Sequence, residues 1–261
     1  MIYRITLSAP DDFEGWRDAA RACCAANLFA DQIGWQVGAE EGDLFAGGSP
    51  PPSPTAPAFN VPRAFVDLAQ TVLCHRDPER FTLLYTLLLR LRVNSGALGD
   101  EADPLIRRLV QRARAVRRDV HKMRAFVRFR EIGQGEATRF VAWFEPEHFI
   151  LRRNAGFFVR RFTSMHWSIL TPIGALHWDT ETLMEGPPAR RCDAPQGDPI
   201  EEIWRTYYSA IFNPVRLKIG AMCGEMPKKY WRNMPETVLI PQLVAGAQGR
   251  EQAMIAASPS R

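Results

Sequence analysis

The sequence predicts an α+β protein, with a small antiparallel sheet of two hairpins around a helix, flanked by several helices. Three observations lead there. Apolar residues recur at three and four positions from Arg63 to Met123, the period of buried helix faces. The pattern then moves toward alternation in Arg124–Glu131 and Arg139–Phe144, which flank an IGQGEAT loop whose two glycines suit a hairpin. A second alternating pair, Trp167 to about Glu185, bends around Pro172 and Gly174, and Pro146 to Phe162 between the pairs reads as a helix.

Each element has its own signal. Ile2 to Ser8 reads as a strand, followed by a helix with Phe13, Trp16, Ala20 and Cys23 or Cys24 on one face; Asp11, Asp12 and Glu14 oppose the positive end of its dipole. Residues 1–46 form this strand-helix module. Residues 47–62, GGSPPPSPTAPAFNVP, read as a linker, because proline removes backbone donors and the composition cannot build a core. Residues 63–261 form a basic core domain. Its helices are expected at Arg63–Cys74, Asp77–Arg92 and Pro104–Met123. In the second, Asp77 is the N-cap with Pro78 at the first position, and Phe81, Leu84, Tyr85, Leu88 and Leu91 are the buried stripe. Further helical stretches are expected at Pro199–Asn213, Lys228–Trp231 and Glu236–Ile255, with a frayed tail from Ser258.

A chain of 261 residues, 46% apolar, can bury a sizeable core. Its net charge of +4 is unevenly placed: residues 1–60 hold three Arg against eight Asp or Glu, so the basic surplus belongs to the remainder. Such asymmetry argues for an acidic partner. The five cysteines are odd in number and show no C-x-x-C spacing, which disfavours a disulfide framework and a zinc knuckle. No metal site is expected, and the sequence names no cofactor. An apolar leader after Met1 and an 18-residue uncharged apolar run are both absent, so a cytoplasmic protein with no membrane partner is expected.

The densest functional signal lies between Pro104 and Arg130, with ten Lys or Arg and a single acid, Asp119. Leu105, Leu109, Ala113, Val116, Val120 and Met123 make its apolar stripe, while Arg107, Arg108, Arg112, Arg114, Arg117 and Arg118 occupy the rest. Ordinary solvated faces mix signs and this one hardly does, so the segment is a candidate nucleic-acid surface: Arg117, Arg118, His121, Lys122, Arg128 and Arg130 would neutralise phosphates. A second basic group, Lys228, Lys229 and Arg232 around Tyr230 and Trp231, follows the Met226-Pro227 turn and would clamp a strand, with Tyr230 or Trp231 on a base or sugar.

FEPEH, Phe144 to His148, is the candidate catalytic cluster. Glu145, Glu147 and His148 put two carboxylates and an imidazole within four residues at a strand-helix junction, a set that can move a proton or hold a metal. The competing reading makes Glu145 a helix cap, with Pro146 in the first turn and Glu147 facing the dipole. SMHWSILTP, Ser164 to Pro172, lacks the G-x-S-x-G elbow of an activated serine, and His166 beside Trp167 reads as packing.

The chain resembles a bacterial family of DNA-metabolism proteins defined by a domain of unknown function. The resemblance rests on DFEGWR (Asp12–Arg17), HRDPERFTLLYTLLLRL (His75–Leu91) and VRRDVHKMRAFVRFRE (Val116–Glu131), and continues through FEPEHFIL, WSILTP, WRTYYSAIFNP and MPKKYWRNMPE. Members of that family occur alone or fused to a uracil-DNA-glycosylase-superfamily domain, often beside a radical SAM protein. The resemblance therefore implies DNA repair or modification, with DNA and such proteins as partners, and it assigns no residue a role. Where the family pattern has a tryptophan in its Leu-Leu-Tyr-x-Leu-Leu segment this chain has Leu89, and its proline-rich stretch is an elaboration. The expectation is a DNA-binding protein of repair or modification; the alternatives are a DNA-processing enzyme using the Glu/His cluster and a scaffold for a glycosylase or radical SAM partner.

Overall fold

A computed structural model of the chain describes residues 2–38, 60–133, 135, 138–195, 226–234, 237 and 240. The architecture is α+β, as the sequence predicts. The chain divides into two compact units, Met1–His121 with Pro146–Arg153, and Lys122–Glu145 with Asn154–Arg261. Most of the expected linker, residues 47–62, lies outside the described residues.

In the first unit β1 (Tyr3–Leu7) and β2 (Ile33–Val37) pair in parallel, Tyr3 opposite Ile33 and Leu7 opposite Val37. Parallel strands need a crossover, and α1 (Phe13–Ala25) supplies it. Asp12 caps that helix: Oδ1 accepts the Gly15 N–H at 2.8 Å and Oδ2 the Ser8 hydroxyl at 2.6 Å, and the hydroxyl bond foremost holds this carboxyl below its usual pKa. α2 (Arg63–Val72), α3 (Arg80–Val93) and α4 (Pro104–Phe126) follow. Every residue of the two predicted stripes on α3 and α4 is buried, and Leu83 and Leu87 extend the apolar surface of α3 beyond one stripe. Trp35 sits among Trp16 (6.1 Å), Phe81 (6.0 Å) and Tyr85 (6.2 Å), whose buried hydroxyl donates to Leu28 O at 2.8 Å.

The second unit is built on a five-stranded sheet in the order β3 (Arg130–Ile132), β4 (Arg139–Trp143), β5 (Trp167–Thr171), β6 (Gly174–Trp178), β7 (Leu183–Gly186). β3–β4 and β5–β6 are the two predicted antiparallel hairpins, and α5 (Leu151–Arg161) lies between them in the chain. The hairpins join through a parallel β4–β5 pair with Phe140 opposite Trp167, and β7 adds a third antiparallel pairing. Alternation specifies strands and not pairing direction; the long connection through α5 is what allows the parallel seam. Trp167, Phe158 and Phe144 are fully buried.

Several boundaries differ from expectation, each for a local reason. α4 runs through Phe126 and the strand starts only at Arg130, because the Val127 N–H still bonds to Met123 O at 3.1 Å and the Arg128 guanidinium donates to Ala125 O at 2.7 Å, closing the helix end. α2 stops at Val72, and α3 starts at Arg80 because Asp77 organises a turn first, its Oδ1 accepting the Glu79 N–H at 2.9 Å. α5 begins at Leu151, so Glu145 does not cap it and Pro146 is not in its first turn. Lys228–Asn233 is a 3-10 helix. The expected helices at Pro199–Asn213 and, apart from Thr237 and Ile240, Glu236–Ile255 lie outside the described residues.

Candidate functional site

α4 sorts its arginines by partner. In its first half Arg107 donates to Ala102 O at 2.8 Å, Arg108 pairs with Glu79, and Arg112 bridges Asp77 and Glu79, the latter at 3.2 Å. Arg108 and Arg112 are thus paired with acids, whereas Arg107 meets only a carbonyl. Arg114, Arg117, Arg118 and His121 then follow at i, i+3, i+4 and i+7, one face of the helix, and all four are exposed. Among the described residues none of them meets an acidic partner. At 1.5 Å per residue the stripe is about 10 Å long, so cationic groups lie a few nucleotides apart at 3.4 Å of rise per strand phosphate.

The remaining residues expected to contact phosphate belong to the second unit. Lys122 is half-buried with its ammonium 5.8 Å from the Phe126 ring. Arg128 is tied to the Ala125 carbonyl, and Arg130 donates to Pro195 O at 2.7 Å. In the C-terminal group Tyr230 is 3% exposed, stacked on Phe144 at 5.3 Å, which puts its ring out of reach of a base. Trp231 is half-buried and donates its indole N–H to Met226 O at 2.9 Å. Lys228 and Lys229 are exposed, over the rings of Trp231 and Tyr230 respectively. The Arg232 side chain lies outside the described residues.

A second constellation arises where three segments of the first unit meet. Asp119, the lone acid of the basic segment, is 2% exposed and its Oδ2 accepts the backbone N–H groups of Glu147 (2.8 Å) and His148 (2.9 Å). A helical turn at these residues would have left those donors unsatisfied; α4 satisfies them from the side, and α5 starts later. His148 is buried and stacked on His75, ring centroids 4.4 Å apart. Both rings are oriented by one turn of backbone: His148 Nδ1 accepts the Arg76 N–H at 3.3 Å and His75 Nδ1 the Asp77 N–H at 3.1 Å. An accepting Nδ1 carries no proton, so each neutral ring bears its hydrogen on Nε2. Burial, then the Arg112 and Arg80 charges, lower the His75 pKa, with Asp77 opposing.

Arg80 holds this turn in place. Its 3% exposed guanidinium donates to Leu73 O (2.8 Å), Asp77 O (3.1 Å) and Pro10 O (2.8 Å) and lies 3.9 Å from the Phe81 ring centre. Burial brings its pKa down to about 10. Burial likewise pushes the neighbouring Cys74 thiol up to about 11, so this cysteine is no thiolate nucleophile.

The members of the expected catalytic trio differ in setting. Glu145 belongs to the second unit and accepts the Trp143 indole N–H at 2.9 Å, while Glu147, exposed, and His148, buried, belong to the first. Among the described residues no group of three His, Cys, Asp or Glu is placed to hold a metal. The structure adds His75, whose partner is 73 positions away in the sequence and therefore invisible to local pattern. It also adds a cross-strand Ser168 Oγ to His177 Nδ1 contact of 2.8 Å on β5 and β6. Arg114 could have been found from its helical spacing to Arg117, Arg118 and His121.

A family model for the domain of unknown function DUF4130 matches residues 78–236, well over half of the chain. The chain belongs to the DUF4130 family. The matched stretch takes in the α4 stripe, Asp119 and His148; His75 precedes it by three residues. No curated protein and no solved structure matches this DUF4130 chain. Among the described residues no helix is long and apolar enough to cross a membrane.

Proposed function

We propose that the protein binds DNA in repair or modification, with the Arg114, Arg117, Arg118 and His121 face of α4 set against strand phosphates. The observation that carries the reading is the exposure of these four groups on one helix face without acidic partners among the described residues. Lys228 and Lys229 are exposed cations of the second unit, a separate place where phosphate would bind. The resemblance to DNA-metabolism proteins agrees with this reading, and with a uracil-DNA-glycosylase-superfamily or radical SAM protein as a cytoplasmic working partner. Fluorescence anisotropy with single- and double-stranded oligonucleotides at low salt tests it. Binding that Arg117→Ala with Arg118→Ala weakens at least tenfold is expected, and unaltered affinity would remove the face from the interface.

The stacked imidazoles favour a second reading, a DNA-processing enzyme. A neutral ring with its hydrogen on Nε2 can donate to a phosphoryl or carbonyl oxygen, and His75, half-buried, joins His148 as a candidate for that role. Product analysis on lesion-bearing oligonucleotides, with His75→Gln and Glu147→Gln as controls, separates this reading from binding alone.

A further inference from the structure

The second unit gathers arginines in a different way. Arg128, Arg130 at the start of β3 and Arg191 in the short 3-10 turn Arg191–Asp193 line one depression, together with Val141 and Trp143 of β4, Ala194 and Pro195. Among the described residues no acidic side chain lines it. The neighbouring Asp193 is engaged locally, its Oδ2 accepting the Arg190 N–H at 2.7 Å. Arg130 spends one N–H on Pro195 O, and a guanidinium has five. Arg191 is half-buried, and among the described residues its side chain meets no acceptor. Burial and, next, the like charge of Arg130 lower its pKa. Partly desolvated guanidiniums held side by side are unfavourable unless an anion joins them.

We propose that Arg130 and Arg191, with Arg128 beside them in the lining, form a site for a single phosphate group. The depression offers about 10 Å³ of water-sized space, the room of one water or one phosphoryl oxygen, so a phosphate group would enter by one oxygen and a base does not fit. Two guanidiniums offer paired N–H groups in the fork that matches phosphate oxygens. The inference rests on the DNA reading for its natural ligand, a strand phosphate; free phosphate has the same chemistry.

The test titrates the full-length protein with inorganic phosphate at constant ionic strength, by calorimetry or ³¹P line width. Saturable binding with a Kd of about 1 mM is expected, the strength of a few charge-assisted hydrogen bonds. Arg191→Gln and Arg130→Gln should each weaken it at least tenfold, and Arg191→Lys, which keeps charge and stem but not the fork, several-fold. Arg117→Ala with Arg118→Ala should leave phosphate binding unchanged while weakening DNA, which keeps the two claims separate. Phosphate that competes with DNA, and DNA affinity lowered by Arg191→Gln, identify a strand phosphate as the ligand; phosphate binding lost with DNA affinity intact identifies free phosphate. Absence of saturable phosphate binding to wild type, or binding indifferent to Arg191→Gln and Arg191→Lys in folded protein, overturns the proposal.

Discussion

Removing the Asp119 carboxylate should unfasten the turn that carries His148. The side chain is 2% exposed, and its Oδ2 receives two backbone N–H groups at 2.8 and 2.9 Å. Hydrogen bonds to a charged acceptor contribute about 1.5–3 kcal/mol each, and the two donors left behind in Asp119→Ala are partly or wholly shielded from water, so the expected loss is about 3–5 kcal/mol. Asp119→Asn keeps an amide oxygen in the same place and should lose about half as much. For a chain of this size that corresponds to a Tm lower by roughly 10 °C for the alanine variant. Urea unfolding measured with an unchanged m-value is the assay, because it separates altered stability from altered compactness. A loss below about 1 kcal/mol for Asp119→Ala, or an Asn variant as unstable as the Ala variant, would refute the reasoning.

Arg80→Met should destabilise by about 3 kcal/mol or more, since three carbonyls lose their donor and the turn before α3 loses its anchor; equilibrium unfolding checks it. His75 should titrate below the usual histidine value by NMR. Because its pKa is depressed in the folded protein, its contribution to stability is present above about pH 6.5 and lost as pH falls through the folded value, a slope that His75→Gln should flatten. Cys192, exposed, should react quickly with a thiol reagent, whereas Cys74 and Cys23, whose thiols burial pushes up to about 11, should react only as the protein opens; mass spectrometry of labelled peptides after short exposure decides.

What the sequence disclosed follows from the range of the forces involved. The α3 and α4 stripes were legible because a helix repeats its burial pattern every turn, and α4 repeats it for more than six turns. The hairpins were legible from alternation around glycine-containing turns. β2 was not: five residues containing Gly34 show no alternation, and its pairing with β1 is set by a crossover. The start of α5 was hidden because Asp119, 28 residues upstream, removes the need for a local cap at Glu147. The arginine face was legible as composition, while the pairing of Arg108 and Arg112 required knowing where Asp77 and Glu79 fall. His75 and Arg191 left no local signal, since each gains meaning only from residues distant in the chain.

The salt dependence of DNA affinity tests the central claim most directly. Each phosphate neutralised on duplex DNA contributes about 0.9 to the slope of log K against log salt, so replacing Arg114, Arg117 and Arg118 together by alanine should reduce that slope by about 2–3. A measurable wild-type slope that stays the same in the triple variant would contradict the account.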